Sequence, residues 1–244
     1  MPRWRRLGVL IPPVNITVER EFPRWAPEGV TIHVQRMYRA QGVLSPEDLS
    51  GMLDYLDEDA RRLAFAQLQF IIYACTSGSS LETGGYDKRI AAQIEQAAGV
   101  AASTTATAVT EALRHFGVRN MSVVTPYPQD INDKEMAFFQ ELGFETVGLE
   151  SFLQRDSLKV PLISQAETYK LAKQADRAAA EALFISCTNL PTADIIEPLE
   201  QELGKPVLTS NQTSMWLSLR RMGVDEPVHG AGQLLREPMA ALPA

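Results

Sequence analysis

Two stretches decide how this chain is read: Phe70–Glu82, "FIIYACTSGSSLE", and Leu183–Ile195, "LFISCTNLPTADI". Each is an apolar run that ends in Cys-Thr and passes into small polar residues. Cys75 and Cys187 are the only two cysteines among 244 residues. A short apolar run closed by turn-forming residues reads as a buried strand, so each thiol stands at the carboxyl end of one. A buried cysteine is ordinarily a small core hydrophobe. Two in one duplicated context point to a shared task instead.

Outward from these stretches the chain alternates strand and helix. "LGVLIP", "VTIHVQRM", "LQFIIYAC" and "VAAST" read as strands. "SPEDLSGMLDYLDEDARRLAFAQ" reads as one helix, with Ser45 as its cap and Pro46 at its first position. "YDKRIAAQIEQAAG" reads as a helix stopped by Gly99. The order restarts at "MSVVTPY" and runs through "FETVGLE", "ALFISC" and "KPVLTS", with helices between. The Met, Phe and Leu stripe of "KEMAFFQEL" is read as core packing. Such alternation predicts parallel sheets with helical crossovers.

The restart is an internal repeat. Cys75 and Cys187 lie 112 positions apart, and Pro12 and Pro126, each closing the first strand of its half, lie 114 apart. The expected fold is α/β: two similar Rossmann-like parallel-sheet domains, residues 1–117 and 118–224, related by a pseudo-two-fold axis. The tail, 225–244, is expected to pack back on the first domain, and the active site to lie in the cleft between the two.

Composition narrows the class. A chain that is 45% hydrophobic can bury a sizeable core. A net charge of −7 speaks against nucleic acid or a membrane surface as partner. The apolar run Leu7 to Ile11 is too short for a signal peptide and stops at Pro12-Pro13. No segment approaches the ~20 apolar residues of a membrane span, so a cytoplasmic protein is expected. Two cysteines outside any Cys-x-x-Cys and three scattered histidines make a disulfide framework or a metal site an unsuitable reading.

In parallel α/β sheets, ligands bind beyond the carboxyl ends of the strands. Two such ends facing one cleft place a thiol on each side of a ligand. Thr76-Ser77 and Thr188-Asn189 follow the thiols and are read as helix N-termini, whose N–H groups bind anions and lower a thiol's pKa. Helix capping by Thr76 and Thr188 is compatible with that role. Arg36, at a strand end, is read as a solvated ion pair. Together these features imply a small carboxylate substrate, chemistry at carbon and no cofactor.

With "IPPVNITVEREFP", "YACTSGSS", "TPYPQDIN", "ISCTNLPT" and "VHGAGQLLRE", the whole chain resembles the aspartate/glutamate racemase superfamily, in the branch of maleate cis-trans isomerases and arylmalonate decarboxylases. The resemblance implies a two-domain, cofactor-independent, homo-oligomeric enzyme acting on a small dicarboxylate. Cys75 matches the thiol that adds to the maleate double bond, and Cys187 the thiol that protonates the neighbouring carbon. Asn15 and Tyr127 match carboxylate-binding side chains. Thr76 and Ser77 resemble the cradle of the decarboxylase branch, and Ser157 in "RDSLKV" takes the place of an isomerase asparagine. A two-cysteine racemase of an amino acid or hydantoin, an arylmalonate-type decarboxylase and a dicarboxylate-binding sensor remain the alternatives.

Overall fold

The computed structural model describes residues 4–39 and 42–237. Two four-stranded sheets, each wholly parallel, carry the chain. The first contains β1 (Arg5–Ile11), β2 (Val30–Arg36), β3 (Phe70–Tyr73) and β4 (Ala102–Thr104), in the order β2-β1-β3-β4. The second contains β5 (Asn120–Thr125), β6 (Glu145–Ser151), β7 (Ala182–Ile185) and β8 (Val207–Thr209), in the order β6-β5-β7-β8. The two orders are the same topology repeated. The strands at the centre of each sheet are apolar along their length: every residue of "FIIY" in β3 and of "ALFI" in β7 is buried. That is the mark of strands covered by helices on both faces.

The helices are α1 (Val18–Trp25), α2 (Pro46–Ser50), α3 (Leu56–Ala64), α4 (Thr76–Ser79), α5 (Tyr86–Ala98), α6 (Thr105–His115), α7 (Gln129–Glu141), α8 (Gln165–Ala175), α9 (Ile196–Leu203), α10 (Ser210–Arg221) and α11 (Gln233–Arg236). The single helix expected from Ser45 onward is instead α2, a 3₁₀ stretch at Gly51–Tyr55 and α3. Glycine is a poor helix former, and the turn tightens where Gly51 enters. Ser45 does cap α2, its hydroxyl accepting from the Asp48 N–H at 3.2 Å.

The seam between the halves is built by α6 and α10, the helices that follow β4 and β8. Thr104 and Thr209 cap them in the same way, accepting from the Thr107 and Gln212 N–H groups at 3.2 Å each. Thr105 Oγ1 meets Ser214 Oγ at 2.8 Å across the seam.

The tail departs from expectation. Its described part, to Glu237, lies on the second half: the Gln233 N–H donates to Glu200 at 3.0 Å, and Gln212 Nε2 donates to the Ala231 carbonyl at 2.6 Å. Leu234 and Leu235 are buried there. Glu237 also reaches the first half, at His115. The amphipathic tail covers the helix nearest to it in sequence, α10. Residues 238–244 lie outside the described residues.

Candidate functional site

β3 and β7 deliver Cys75 and Cys187 to one small pocket on the seam, of about 30 Å³. Asn15, Thr76, Ser77, Tyr127, Ser157, Thr188 and Asn189 line the same pocket. All nine residues singled out in the sequence are therefore brought together.

Cys75 heads α4. Its sulfur lies near the Ser77 hydroxyl at 4.0 Å and takes the Gly78 N–H. A side chain at position 78 could not be housed: a Cβ there would stand 2.9 Å from the Cys75 sulfur and 2.7 Å from the Tyr73 hydroxyl. Burial pushes the thiol above its ordinary pKa, against the Gly78 N–H, the Arg39 charge and the Ser77 hydroxyl. The helix N-terminus does act in the expected direction, through the Gly78 N–H, but burial outweighs it. One short turn of helix offsets less than desolvation costs.

Cys187 differs. Its backbone has φ of +96°, a region that a non-glycine residue enters only under strain. No helix follows it. Pro191 disfavours helical backbone at the residue before it, and α9 starts only at Ile196. The Thr188-Asn189 segment is a turn, closed by the Leu190 N–H on the Cys187 carbonyl at 3.2 Å. The Asn189 N–H still points at the Cys187 sulfur, at 3.4 Å, and the Tyr127 hydroxyl is near enough to favour the charged form of that thiol. Burial, with Cys75 and Glu135 nearby, pushes this thiol up to about 12.

Several of the polar residues also hold the seam. Asn15 Oδ1 accepts from the Thr17 and Val18 N–H groups at the start of α1, while its Nδ2 donates to Thr188 Oγ1 at 3.0 Å. Thr188 Oγ1 donates to the Ala74 carbonyl at 2.9 Å. Asn189 clasps the loop before α1, accepting from the Ile16 N–H at 3.0 Å and donating to the Val14 carbonyl at 3.2 Å. Thr76 Oγ1 donates to Ser210 Oγ at 2.7 Å, and Ser210 Oγ also accepts from the Cys187 N–H at 2.9 Å. Ser157 closes the mouth: its N–H and hydroxyl both donate to the Gly42 carbonyl, beside a bridge between Val43 and Asp156. Arg36 lies elsewhere, in a surface ion pair with Glu19.

Sequence reasoning missed three residues. Arg39 lines the pocket, its side chain 2% exposed and paired with Asp48. Ser210 ties the two Cys-Thr turns together. Glu135 sits behind Tyr127, with no local pattern to betray it. Among the described residues, no cluster of three or more His, Cys, Asp or Glu could hold a metal ion, and no helix is long and apolar enough to cross a membrane.

A pair of like α/β halves, each delivering a thiol from a strand end into one pocket on their seam, defines a class of two-half α/β proteins. Within that class the chain belongs to the arylmalonate decarboxylase family, whose model matches residues 7–235. It is 28% identical to a maleate isomerase of Nocardia farcinica, with 97% of each chain covered. It is 26% identical to an arylmalonate decarboxylase of Bordetella bronchiseptica, covering 89% of this chain and 90% of that one. Among solved structures it is similar to a cysteine-to-serine variant of the Nocardia farcinica maleate cis-trans isomerase with a covalently bound succinylcysteine intermediate. That likeness has a TM-score of 0.91 at 26% identity, over 95% of this chain and 98% of the other.

Proposed function

We propose that this protein is a cofactor-independent cis-trans isomerase of a small dicarboxylate, of the maleate-to-fumarate type, acting through Cys75 and Cys187. The observation that carries this reading is the unequal pair of thiols lining one small pocket with Asn15, Arg39, Tyr127 and Thr188. The similarity to maleate isomerases, one of them holding a succinylcysteine, supports it.

The inequality sets the order of events. Arg39, the Gly78 N–H and the Ser77 hydroxyl favour a Cys75 thiolate, and its charge in turn holds Cys187 protonated. The Cys75 sulfur adds to one alkene carbon, and the π electrons pass to the neighbouring carbon and its carboxylate. Cys187 gives its proton to that carbon, leaving a single C–C bond that rotates. The Cys187 thiolate then takes the proton back, the C–S bond breaks, and the trans isomer leaves. Arg39, the second Nδ2 hydrogen of Asn15, the N–H groups at the start of α4 and the Tyr127 hydroxyl are the donors available to the two carboxylates.

A space of about 30 Å³ holds little more than a water molecule or two. Admission of a four-carbon diacid therefore requires the Gly42–Ser157 clasp to part, the kind of gating that loops supply. A cytoplasmic, homo-oligomeric protein completes the proposal. Two free thiols fit a reducing compartment, and exposed Leu153, Leu158 and Leu162 offer apolar surface to a second copy.

Proton NMR in D₂O with maleate, aspartate, glutamate, hydantoins and aryl malonates tests the reading in one experiment. Growth of the fumarate signal from maleate is expected. Exchange at Cα of an amino acid or hydantoin, loss of CO₂ from an aryl malonate, or binding without turnover would replace it by the racemase, decarboxylase or sensor reading.

A further inference from the structure

We infer that Glu135 is a positioning residue that aims a buried chain of hydroxyls, Ser186 and then Tyr127, at the Cys187 sulfur, an inference that rests on the acid role of Cys187 proposed above. Glu135 projects from α7 and is 1% exposed. Its Oε1 accepts from the Ser186 hydroxyl at 2.7 Å, and its Oε2 has no hydrogen-bond partner among the described residues. Ser186 Oγ lies 3.4 Å from Tyr127 Oη, and the Tyr127 hydroxyl is near enough to the Cys187 sulfur to favour its charged form. Four side chains thus run from a buried carboxyl to the reacting thiol.

The carboxyl at the head of this chain has no structural reason to be there. Glu21 occupies the same place in the first half, 114 positions earlier. Both its oxygens are used, by the Thr192 and Ala193 N–H groups and by Asn211 Nδ2. Glu135 has one partner where Glu21 has three. An isolated buried carboxylate is costly, and burial raises the Glu135 pKa from 4.5 to about 8. In neutral solution it is an acid with a proton to donate.

That proton decides which way the hydroxyls point. With Glu135 protonated, its O–H can donate to Ser186, Ser186 to Tyr127, and Tyr127 to sulfur. When Cys187 hands its proton to the substrate carbon, the S–H electrons stay on sulfur, and the aligned dipoles meet the new charge. No net proton leaves Glu135. With Glu135 ionised, Ser186 turns toward it and a second negative charge stands behind the thiol. The titratable groups that face Glu135 are Tyr127 from the end of β5, Cys187 from β7 and Cys75 from β3. The charge of Arg39 falls on Cys75.

The test is the pH dependence of iodoacetamide alkylation, read separately for the Cys75 and Cys187 peptides by mass spectrometry, in the full chain. Glu135→Gln keeps a neutral donor and removes the charge. It is expected to speed Cys187 alkylation roughly 3- to 10-fold near pH 9, up to a unit in pKa, with a clearly smaller change at Cys75. Ser186→Ala breaks the middle link, should slow Cys187 alkylation and turnover together, and serves alone if the Gln variant does not fold. Unchanged Cys187 profiles in the folded variants, or equal shifts at both thiols, would overturn the inference. If wild-type protein turns over no maleate while Glu135→Gln still shifts Cys187 clearly more than Cys75, the isomerase reading falls and the coupling stands.

Discussion

The two strand ends that carry the thiols share a sequence context and little else. After Cys75 the chain turns into α4, with ordinary extended backbone at the cysteine, φ of −146°. After Cys187 it turns through a strained residue with φ of +96° and no helix. Cys75 receives an N–H and faces a cation. Cys187 receives an N–H and lies near the Tyr127 hydroxyl, with no cation beside it among the described residues; Glu135 disfavours the charged form of both thiols. Repetition of one half supplied the frame, and the proposed division of labour between a nucleophile and an acid rests on the differences between the copies. The glutamates follow the same rule. Glu21 is spent on stitching α1 to the second half, and Glu135 keeps an oxygen free.

The sharpest way to break this comparison is to delete each thiol in turn. Cys75→Ala is expected to abolish maleate turnover, because no adduct can form. Cys187→Ala removes proton transfer and should cost ~10²–10⁴-fold, with an adduct on Cys75 sought by intact mass. Equal losses, with hand-specific Cα exchange in each variant, would make the thiols equivalent and the protein a racemase.

Next in size is the contrast between the glutamates. Glu21→Ala leaves the Thr192 and Ala193 N–H groups unpaired at the seam and removes one of the two bonds of Asn211 Nδ2; it should destabilise the fold by about 3 kcal/mol, measured by urea unfolding. Glu135→Ala, which frees only Ser186, should cost clearly less.

A smaller effect is expected from Tyr127→Phe. Loss of one hydroxyl bond to a charged group is worth ~1.5–3 kcal/mol, so kcat/KM should fall roughly ten- to a hundred-fold with the unfolding midpoint little changed. Asn15→Ala will not separate the two quantities as cleanly. Its Oδ1 caps α1, so about 1 kcal/mol of stability should go with it.

The mildest test is a slope. The folded-state pKa of Glu135 is raised, so the folded protein keeps a proton that the unfolded chain releases near 4.5. The stability held below that pH is therefore lost as pH rises toward about 8. Glu135→Gln should remove this contribution, about 1 kcal/mol per pH unit, when unfolding free energies are compared between pH 5 and 8. Parallel curves for the two proteins would show that Glu135 is ionised throughout.

Much of this was legible in the chain. The strand-helix alternation, the repeat and the two Cys-Thr turns have local signatures: Cys-Thr after an apolar run, Pro after a first strand, Ser before Pro at a helix start; Asn15, Tyr127 and Ser157 were implied only by the family resemblance. What was not legible depends on burial by distant parts. The acidity of Cys75 follows from how completely the seam covers it, which the four residues after it do not encode. Glu135 sits in "KEMAFFQEL", where the apolar stripe hides the one carboxyl that faces inward. Arg39 and Ser210 belong to the site only because the second half folds over the first. The turn after Cys187 could have been read from Pro191, which forbids the helix assumed there.

The bonds across the seam have a consequence for unfolding. Asn15 with Thr188, Thr76 with Ser210, Thr105 with Ser214 and Glu21 with Asn211 are all buried, and each joins one half to the other. Parting the halves would strand all of them at once. The halves therefore cannot swing apart as hinged lobes, and neither melts before its twin. Cooperativity should be highest at the seam that carries the two thiols, and the amides around both are expected to exchange with solvent only when the whole molecule opens.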